Sequence, residues 1–304
     1  MNLRHIRAFI ALAEELHFGR AAKRLHIEQS PLSRTVRKLE ADLGVTLFKR
    51  SPRGVRLTWE GRVFLEDAQR IALAVEQAQA RAHAAAAGYH GTLRIALSDG
   101  IESARLSTLL AQCREEAPGV SIRLFETSLA QLLSGLNTGL FDAGLALAND
   151  VEGEIIAAPV WQDPLVVAMP ARHPLLAFKK VPLKEVMGYP LVLCHPEVCG
   201  GCSKQCEHLL RSADVPPKVA EYVTTHTLML ALVAAGYGVG FSSAAHLAGC
   251  RQGDVAVRPL VDQTASLTTY LLRPAGVVTG PLLQFIERAE RIGHLQVSAY
   301  RSVE

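Results

Sequence analysis

Apolar residues at the start of the chain recur at helical spacing. Leu3, Ile6, Phe9, Ile10, Ala13 and Leu16 predict an amphipathic first helix. Gly19, Ala21, Ala22 and Leu25 predict a short second helix whose small residues let a neighbour approach closely. Gln29-Ser30-Pro31 reads as a helix start, with Ser30 as the cap and Pro31 in the first turn. Leu32, Val36, Leu39 and Leu43 then make the buried stripe of a third helix, and Ser33, Arg34, Arg37 and Lys38 occupy its other face. Behind it, Pro52 and Gly54 shape a tight hairpin surrounded by Lys49, Arg50, Arg53 and Arg56.

From residue 59 the pattern changes. Phe64, Ala68, Ile71, Val75, Ala78 and Ala82 are spaced 4, 3, 4, 3, 4, a heptad seam whose second half thins to alanine. A single helix over this stretch spans roughly 42 Å at 1.5 Å per residue. Its apolar stripe is expected to pair with a second copy rather than pack on its own domain, and Gly88 and Gly91 are expected to end it and form a hinge. Beyond, strands at Thr92–Leu97, Ser121–Glu126 and Ala143–Leu147 alternate with helices at Leu106–Glu115 and Leu129–Asn137. A second series has strands near Leu165–Met169, Leu191–Cys194, Lys218–Val223 and Gly238–Ser242, with helices near Cys202–Ser212 and Leu228–Ala235. Strand Thr268–Leu272 and helix Leu282–Ile292 return to the first series. The expected architecture is α/β: a winged helix-turn-helix over 1–58, a linker helix and hinge over 59–91, and a two-lobed body over 92–304. Lobe I takes about 92–161 and 268–304, and lobe II about 162–267.

Charge sharpens this division. The net charge of +3 conceals +6 over the first 60 residues and −3 over the rest, so the head suits a polyanion and the body something else. No secretory signal is read at the start, and no run of 18 apolar residues suggests a membrane span. Six cysteines without an export signal fit reduced thiols in a cytoplasm. Gly236-Tyr237-Gly238-Val239-Gly240 follows a helix and enters a strand, the reverse of a dinucleotide loop, and there is no G-x-S-x-G elbow. No nucleophile, base and orienter can be named, so neither an enzyme nor a cofactor is expected.

The basic face of the third helix suits the major groove of DNA, with Gln29, Ser30, Pro31, Ser33, Arg34, Arg37 and Lys38 as candidate contacts. Arg50, Arg53 and Arg56 of the hairpin are expected to hold phosphates or enter the minor groove. Ala21-Ala22, Gln29-Ser30-Pro31-Leu32-Ser33, Leu39-Glu40-x-x-Leu43-Gly44, Leu47-Phe48-x-Arg50 and Leu57-Thr58-x-x-Gly61 together resemble the LysR-type transcriptional regulators. Arg34-Thr35 stands where that family usually has Ser or Thr, so the base contacts here are expected to be its own. The resemblance covers the whole chain. It implies a body of periplasmic-binding-protein type that binds a small effector, and a tetramer built from dimers. The sequence itself supports only the dimer seam, and two heads would read an interrupted palindrome of double-stranded DNA.

In such sheets a ligand sits outside the carboxyl ends of the strands. The residues there include Ser98, Gly100, Ser128, Asn149, Cys199, Gly200, Thr225, His226 and Phe241, and their hydroxyls and helix-start N–H groups favour a small carboxylate. The same Ser and Thr residues also suit plain helix caps. Cys194, Cys199, Cys202 and Cys206 lie with His195 in 13 residues at a strand-to-helix turn. Three readings stay open: packed thiols, a redox or electrophile sensor with Cys199 or Cys202 activated at a helix start, and a soft-metal site from His195, Cys199, Cys202 and Cys206. His5, His17, His26, His83 and His90 read as surface or packing residues. An enzyme with a DNA-binding head and an architectural DNA binder are the alternatives from other classes.

Overall fold

A computed structural model describes residues 1–301 except 52–53, 87–90, 102, 152, 214, 244–245, 247–252, 262–264 and 279. The chain divides into two units, Met1–Ala87 and Gly88–Glu304.

The first unit holds α1 (Leu3–Glu15), α2 (Phe18–Arg24), α3 (Gln29–Leu43), the hairpin β1 (Phe48–Ser51) and β2 (Gly54–Leu57), and α4 (Trp59–Ala86). Its core gathers Ile6, Phe9 and Leu12 of α1 with Leu32, Val36 and Leu39 of α3. Phe9 lies against Phe48 and Phe64, with ring centroids 5.3 and 5.0 Å away. His17, read as a surface or packing residue, caps α2: its Nδ1 accepts from the N–H groups of Gly19 and Arg20 at 3.1 and 3.3 Å. The helix-start reading of α3 needs correction. Glu28 is the N-cap and Ser30 lies inside the helix, while Pro31 does fall in the first turn.

The linker seam is corrected at its first two positions, Phe64 and Ala68. Ala68 is fully buried in the core of its own unit, and Phe64, Leu65 and Ala72 pack against that core. Three short helices cannot enclose a core alone, so α4 closes it. The apolar side chains that remain open on α4 include Trp59, Val63 and Ile71.

In the second unit, β3 (Gly91–Leu97), α5 (Ser103–Glu116), β4 (Val120–Glu126), α6 (Leu129–Asn137) and β5 (Ala143–Ala146) form lobe I. Gly91, expected in a hinge, is the first residue of β3. Strand β6 (Ile155–Pro170) crosses to lobe II and begins well before the expected Leu165. Lobe II adds a 3-10 turn (Pro174–Ala177), α7 (Leu183–Val186), β7 (Leu191–Cys194), α8 (Gly200–Arg211), β8 (Val219–Val223), α9 (His226–Ala234), β9 (Val239–Ser243) and β10 (Val255–Pro259). Then β11 (Ser266–Pro274) crosses back, and α10 (Gly280–Arg301) closes the chain.

The strands make one nine-stranded sheet in the order β4-β3-β5-β11-β6-β9-β7-β8, with β10 paired to β6. Within each lobe β3 and β7 pair parallel to their neighbours, whereas β6 and β11 pair antiparallel to each other and to the lobes. Between lobes the β6–β11 register slips, with Thr269 opposite Trp161 and Tyr270 opposite Pro159. Val160 is therefore the extra residue of a bulge. Helix α10 is fastened there: Trp161 Nε1 donates to the Ala289 carbonyl at 3.0 Å. A Cβ on Gly293 would stand 2.1 Å from the Val160 carbonyl oxygen. Arg105 of α5 is likewise buried on β6, its Nη2 2.5 Å from Asp163 Oδ1.

Gly61 shows how tightly the head closes. A Cβ there would lie 2.2 Å from the Leu47 carbonyl oxygen and 2.9 Å from Leu57. Gly61→Ala is expected to destabilise the head by about 1–3 kcal/mol, read as an earlier unfolding transition of the full chain in thermal denaturation.

Candidate DNA-reading face and inter-lobe cleft

Helix α3 buries Leu32, Val36 and Leu39 and leaves Gln29, Ser30, Arg34, Arg37 and Lys38 exposed, with Pro31 and Ser33 half-buried. One face thus carries three cationic side chains and two polar ones, while the opposite face fixes the helix to α1. Thr35 turns its hydroxyl back to the Pro31 carbonyl at 2.9 Å. Glu40 ties this helix to the wing: its Oε1 accepts from the Leu47 and Phe48 N–H groups at 2.9 and 3.1 Å. At the other end of the wing, Thr58 Oγ1 donates to the Thr46 carbonyl at 2.8 Å and accepts from Gly61 N at 2.9 Å. Arg56 is exposed on β2. Arg53 and the Arg50 side chain lie outside the described residues.

In the body, strand ends of lobe I meet the start of α8 of lobe II. Asp99, just after β3, has a left-handed backbone (φ 62°). Its carboxylate accepts from Leu147 N of lobe I at 3.3 Å and from Gly201 N of α8 at 3.2 Å. Two further links hold α8 to lobe I. Gln205 Nε2 donates to the carbonyls of Leu147 (2.6 Å) and Thr268 (2.8 Å), while its Oε1 accepts from Thr268 N at 2.8 Å. Lys204 pairs with Asp150 at 3.1 Å. Gly201 leaves no room for a side chain, because a Cβ would meet Leu147, Ala148 and the Asp99 carboxylate at 2.6–2.8 Å. Burial raises the Asp99 pKa above the usual carboxylate range, against the backbone hydrogen bonds that lower it.

The expected ligand residues divide in two. Ser98, Gly100 and Gly200 lie where lobe I meets α8: Ser98 is buried beside Asp99, Gly100 takes a left-handed turn (φ 64°), and a Cβ on Gly200 would touch Leu129 of α6 at 3.6 Å. Asn149 is exposed. Ser128 caps α6 in a reciprocal pair with Gln131, and Thr225 caps α9 through Leu228 N at 3.2 Å, so both act first as caps. Phe241 is only 4% exposed within the lobe II core. It does not line the cleft, because β9 turns it into the hydrophobic layer. His226 is drawn to β9: its Nε2 lies 2.7 Å from Ser242 Oγ, and its ring centroid lies 3.7 Å from that of His246.

The cysteines are packed thiols. Cys199, Cys202 and Cys206 are buried in the lobe II core. Cys199 Sγ donates to the Thr224 carbonyl at 3.2 Å, and Cys194 Sγ lies 2.9 Å from Cys202 Sγ. Activation of Cys199 or Cys202 at the start of α8 is not found. Burial, with Cys194 and the Asp99 charge nearby, pushes the Cys199 thiol up to about 11. For Cys202 the hydrogen bond with Cys194 acts downward, but Cys206 and burial outweigh it and leave the thiol well above its ordinary value. The hydrogen bond to Cys202 and burial raise Cys194 as well. The metal reading is corrected too: among the described residues no three His, Cys, Asp or Glu side chains are arranged to hold a metal ion.

Sequence reasoning placed Asp99 and Gly201 in the strand-end segments without giving them a role, and passed over Gln205. The one available signal was an acid between Ser98 and Gly100 at a strand end, facing the pair Gly200-Gly201. It also did not foresee a cavity of about 530 Å³ within lobe II, between α8, β7 and β8, walled by Leu193, Cys194, Leu210, Arg211, Val215 and Tyr222.

A winged helix-turn-helix with an exposed cationic helix, followed by a two-lobed α/β body, is the architecture of a ligand-responsive transcriptional regulator. A family model for the bacterial regulatory helix-turn-helix protein, lysR family, matches residues 3–62, and one for the LysR substrate binding domain matches residues 69–291. The HTH-type transcriptional regulator YnfL of Escherichia coli (strain K12) is 35% identical over 240 residues, 79% of this chain and 81% of that protein. A probable hydrogen peroxide-inducible genes activator of Mycobacterium xenopi is 39% identical over 182 residues, 60% of this chain and 96% of that protein. Full-length CbnR, solved in complex with its target DNA, superposes with a TM-score of 0.76 at 29% identity, covering 96% of this chain and all (100%) of that one. The chain belongs to the LysR family of DNA-binding transcriptional regulators, and its body is the effector-binding domain of that family. Among the described residues no helix is long and apolar enough to cross a membrane.

Burial, and then the neighbouring His246, lower the His226 pKa to about 3, and burial lowers that of His246. The unfolded chain, titrating near 6.5, binds more protons between these values, so this contribution is present above pH 6.5 and is lost as pH falls toward 3. Acidification from pH 7 to pH 5 is therefore expected to lower the melting temperature of the wild type more than that of His226→Gln, read by thermal denaturation across pH.

Proposed function

We propose that this chain binds operator DNA through α3 and the wing and regulates transcription in response to a small organic acid held between its lobes. The observation that carries the reading is the pairing of an exposed cationic face on α3 with a two-lobed body in which a strand end of lobe I and the start of α8 in lobe II both donate to the Asp99 carboxylate. Arg34, Arg37 and Lys38 read the major groove with Gln29, Ser30, Pro31 and Ser33, and Arg50, Arg53 and Arg56 hold the flanking backbone. The effector acts by preferring one arrangement of the lobes, which shifts their populations. The exposed apolar side chains Trp59, Val63 and Ile71 on α4 support a homodimer through that helix, which sets two heads on an interrupted palindrome. Pairing of such dimers makes the tetramer implied by the family. The chain works in the cytoplasm and catalyses no reaction.

Two observations favour a second reading, in which an oxidant is the signal: Cys194 and Cys202 touch at 2.9 Å, and the Mycobacterium xenopi relative is named for hydrogen peroxide induction. The raised thiols oppose it, because the thiolate is the reactive form.

Arg34→Ala and Arg37→Ala are each expected to weaken operator binding about 5- to 100-fold, as the loss of one good base or phosphate contact does. Wild-type affinity should fall steeply between 50 and 200 mM salt, with a slope set by the number of phosphates contacted. Fluorescence anisotropy with operator and random duplexes measures both. A flat salt profile, or equal affinity for the two duplexes, would remove α3 and the wing as the contact surface.

A further inference from the structure

Helix α8 is used on two opposite faces. At about 100° per residue, Gly201, Lys204 and Gln205 fall on one side, and these are the residues that reach lobe I. Ser203, Cys206 and Leu210 fall on the other side, at helical spacing, and line the cavity of about 530 Å³ in lobe II. A molecule in this cavity therefore occupies a place apart from an acid held between the lobes.

The volume is that of a small-molecule site, within the usual range of about 300–1,000 Å³. The walls define what kind of molecule fits. Leu193 of β7, Leu210 of α8, and Val215, Pro216 and Pro217 of the loop that follows α8 are apolar. Tyr222 of β8 adds a half-exposed aromatic ring, set edge-on to His195 with centroids 6.2 Å apart. Cys194 presents an uncharged thiol, because its hydrogen bond with Cys202 and its burial raise its pKa. Among the described lining residues the charged ones are Glu207 and Arg211, and they pair with each other at 2.9 Å. Their charges cancel, so the walls favour neither an anion nor a cation. Ser203 contributes a hydroxyl, a polar group that can orient a guest.

We propose that this cavity is a second ligand site of the body, and that it takes a neutral aromatic molecule of one or two rings bearing a hydroxyl. Flat rings bury apolar area against the leucine and proline side chains and meet Tyr222 with the geometry that aromatic pairs favour. A hydroxyl on the guest finds a partner in Ser203 or in the Glu207–Arg211 pair. All the walls come from one lobe of one chain, so the site stands whether or not an acid binds between the lobes.

The test uses the full-length chain with two probes that share a ring system: 1-naphthol, neutral at pH 7, and 1-naphthoate, ionised there. Wild-type melting temperature should rise with 1-naphthol in a saturable way, by about 3–6 °C at tenfold over the dissociation constant. Titration calorimetry should give one 1-naphthol per chain and weaker binding of 1-naphthoate. Val215→Trp places an indole at the open rim, where Val215 is 43% exposed, and Ser203→Phe fills the wall of α8. Both should lose the 1-naphthol response. Should Ser203→Phe fail to fold, the solvent-facing Val215→Trp is read alone. The proposal is overturned if the wild type shows no saturable 1-naphthol response, if the folded variants respond as the wild type does, or if 1-naphthoate binds more tightly. A fall in oligomeric mass for Val215→Trp by light scattering would also overturn it, because a second copy of the chain would then be what covers the cavity.

Discussion

Two strands belong to both lobes, and the body depends on their pairing. β6 and β11 run antiparallel from Ser266 opposite Pro164 to Pro274 opposite Ile155. A hydrogen-bonded ladder resists sliding, because a slip of register breaks every bond and turns each side chain to the wrong face. Twist and bend cost far less. The lobes can therefore rotate about these strands but cannot translate past one another. Helix α8 also meets lobe I through Asp99 and Lys204, while Gln205 ties it both to Leu147 and to β11 itself at Thr268.

The periodic parts of this fold were legible in the sequence. The stripes of α1 and α3 depend on neighbours three or four residues away, and the succession of strand and helix from β3 to β5 on short apolar runs between turns, so local spacing records both. What failed was pattern whose meaning lies elsewhere in the chain. A stripe on α4 shows that something covers it but not what, and Phe64 and Ala68 proved to serve their own core. The serines and threonines at strand ends suit caps and ligand contacts equally, and Ser128 and Thr225 proved to be caps. Strand β10 is short, with no alternation long enough to mark it. Asp99 was hidden most fully: its donors lie 48 and 102 residues further along the chain.

The cysteine run shows how two correct rules compete. A helix start lowers a thiol pKa, and burial raises it. The helix contribution is about 0.3–1 kcal/mol, less than one pKa unit, whereas burial can reach about 3–5 units. Spacing places Cys199 and Cys202 at the first turn of α8, but only packing reveals that they face inward with Leu209 and Phe241. Asp99 adds its own charge to the same side, raising Cys199 and Cys202 further. The carboxylate that docks the helix thus also quiets the sulfur chemistry beside it.

The bulge at Val160 has a consequence for parity. Successive side chains of a strand point to opposite faces, so one extra residue exchanges the even and odd positions of β6 relative to β11 beyond that point. The first lobe reads β6 in one phase and the second lobe in the other, with the last helix seated on the carbonyl where they change. Neither lobe could be exchanged with that of a relative as an independent module unless the graft preserved this count. Deleting Val160 would close the bulge and leave both half-strands facing as they do, but it would remove the carbonyl against which Gly293 packs.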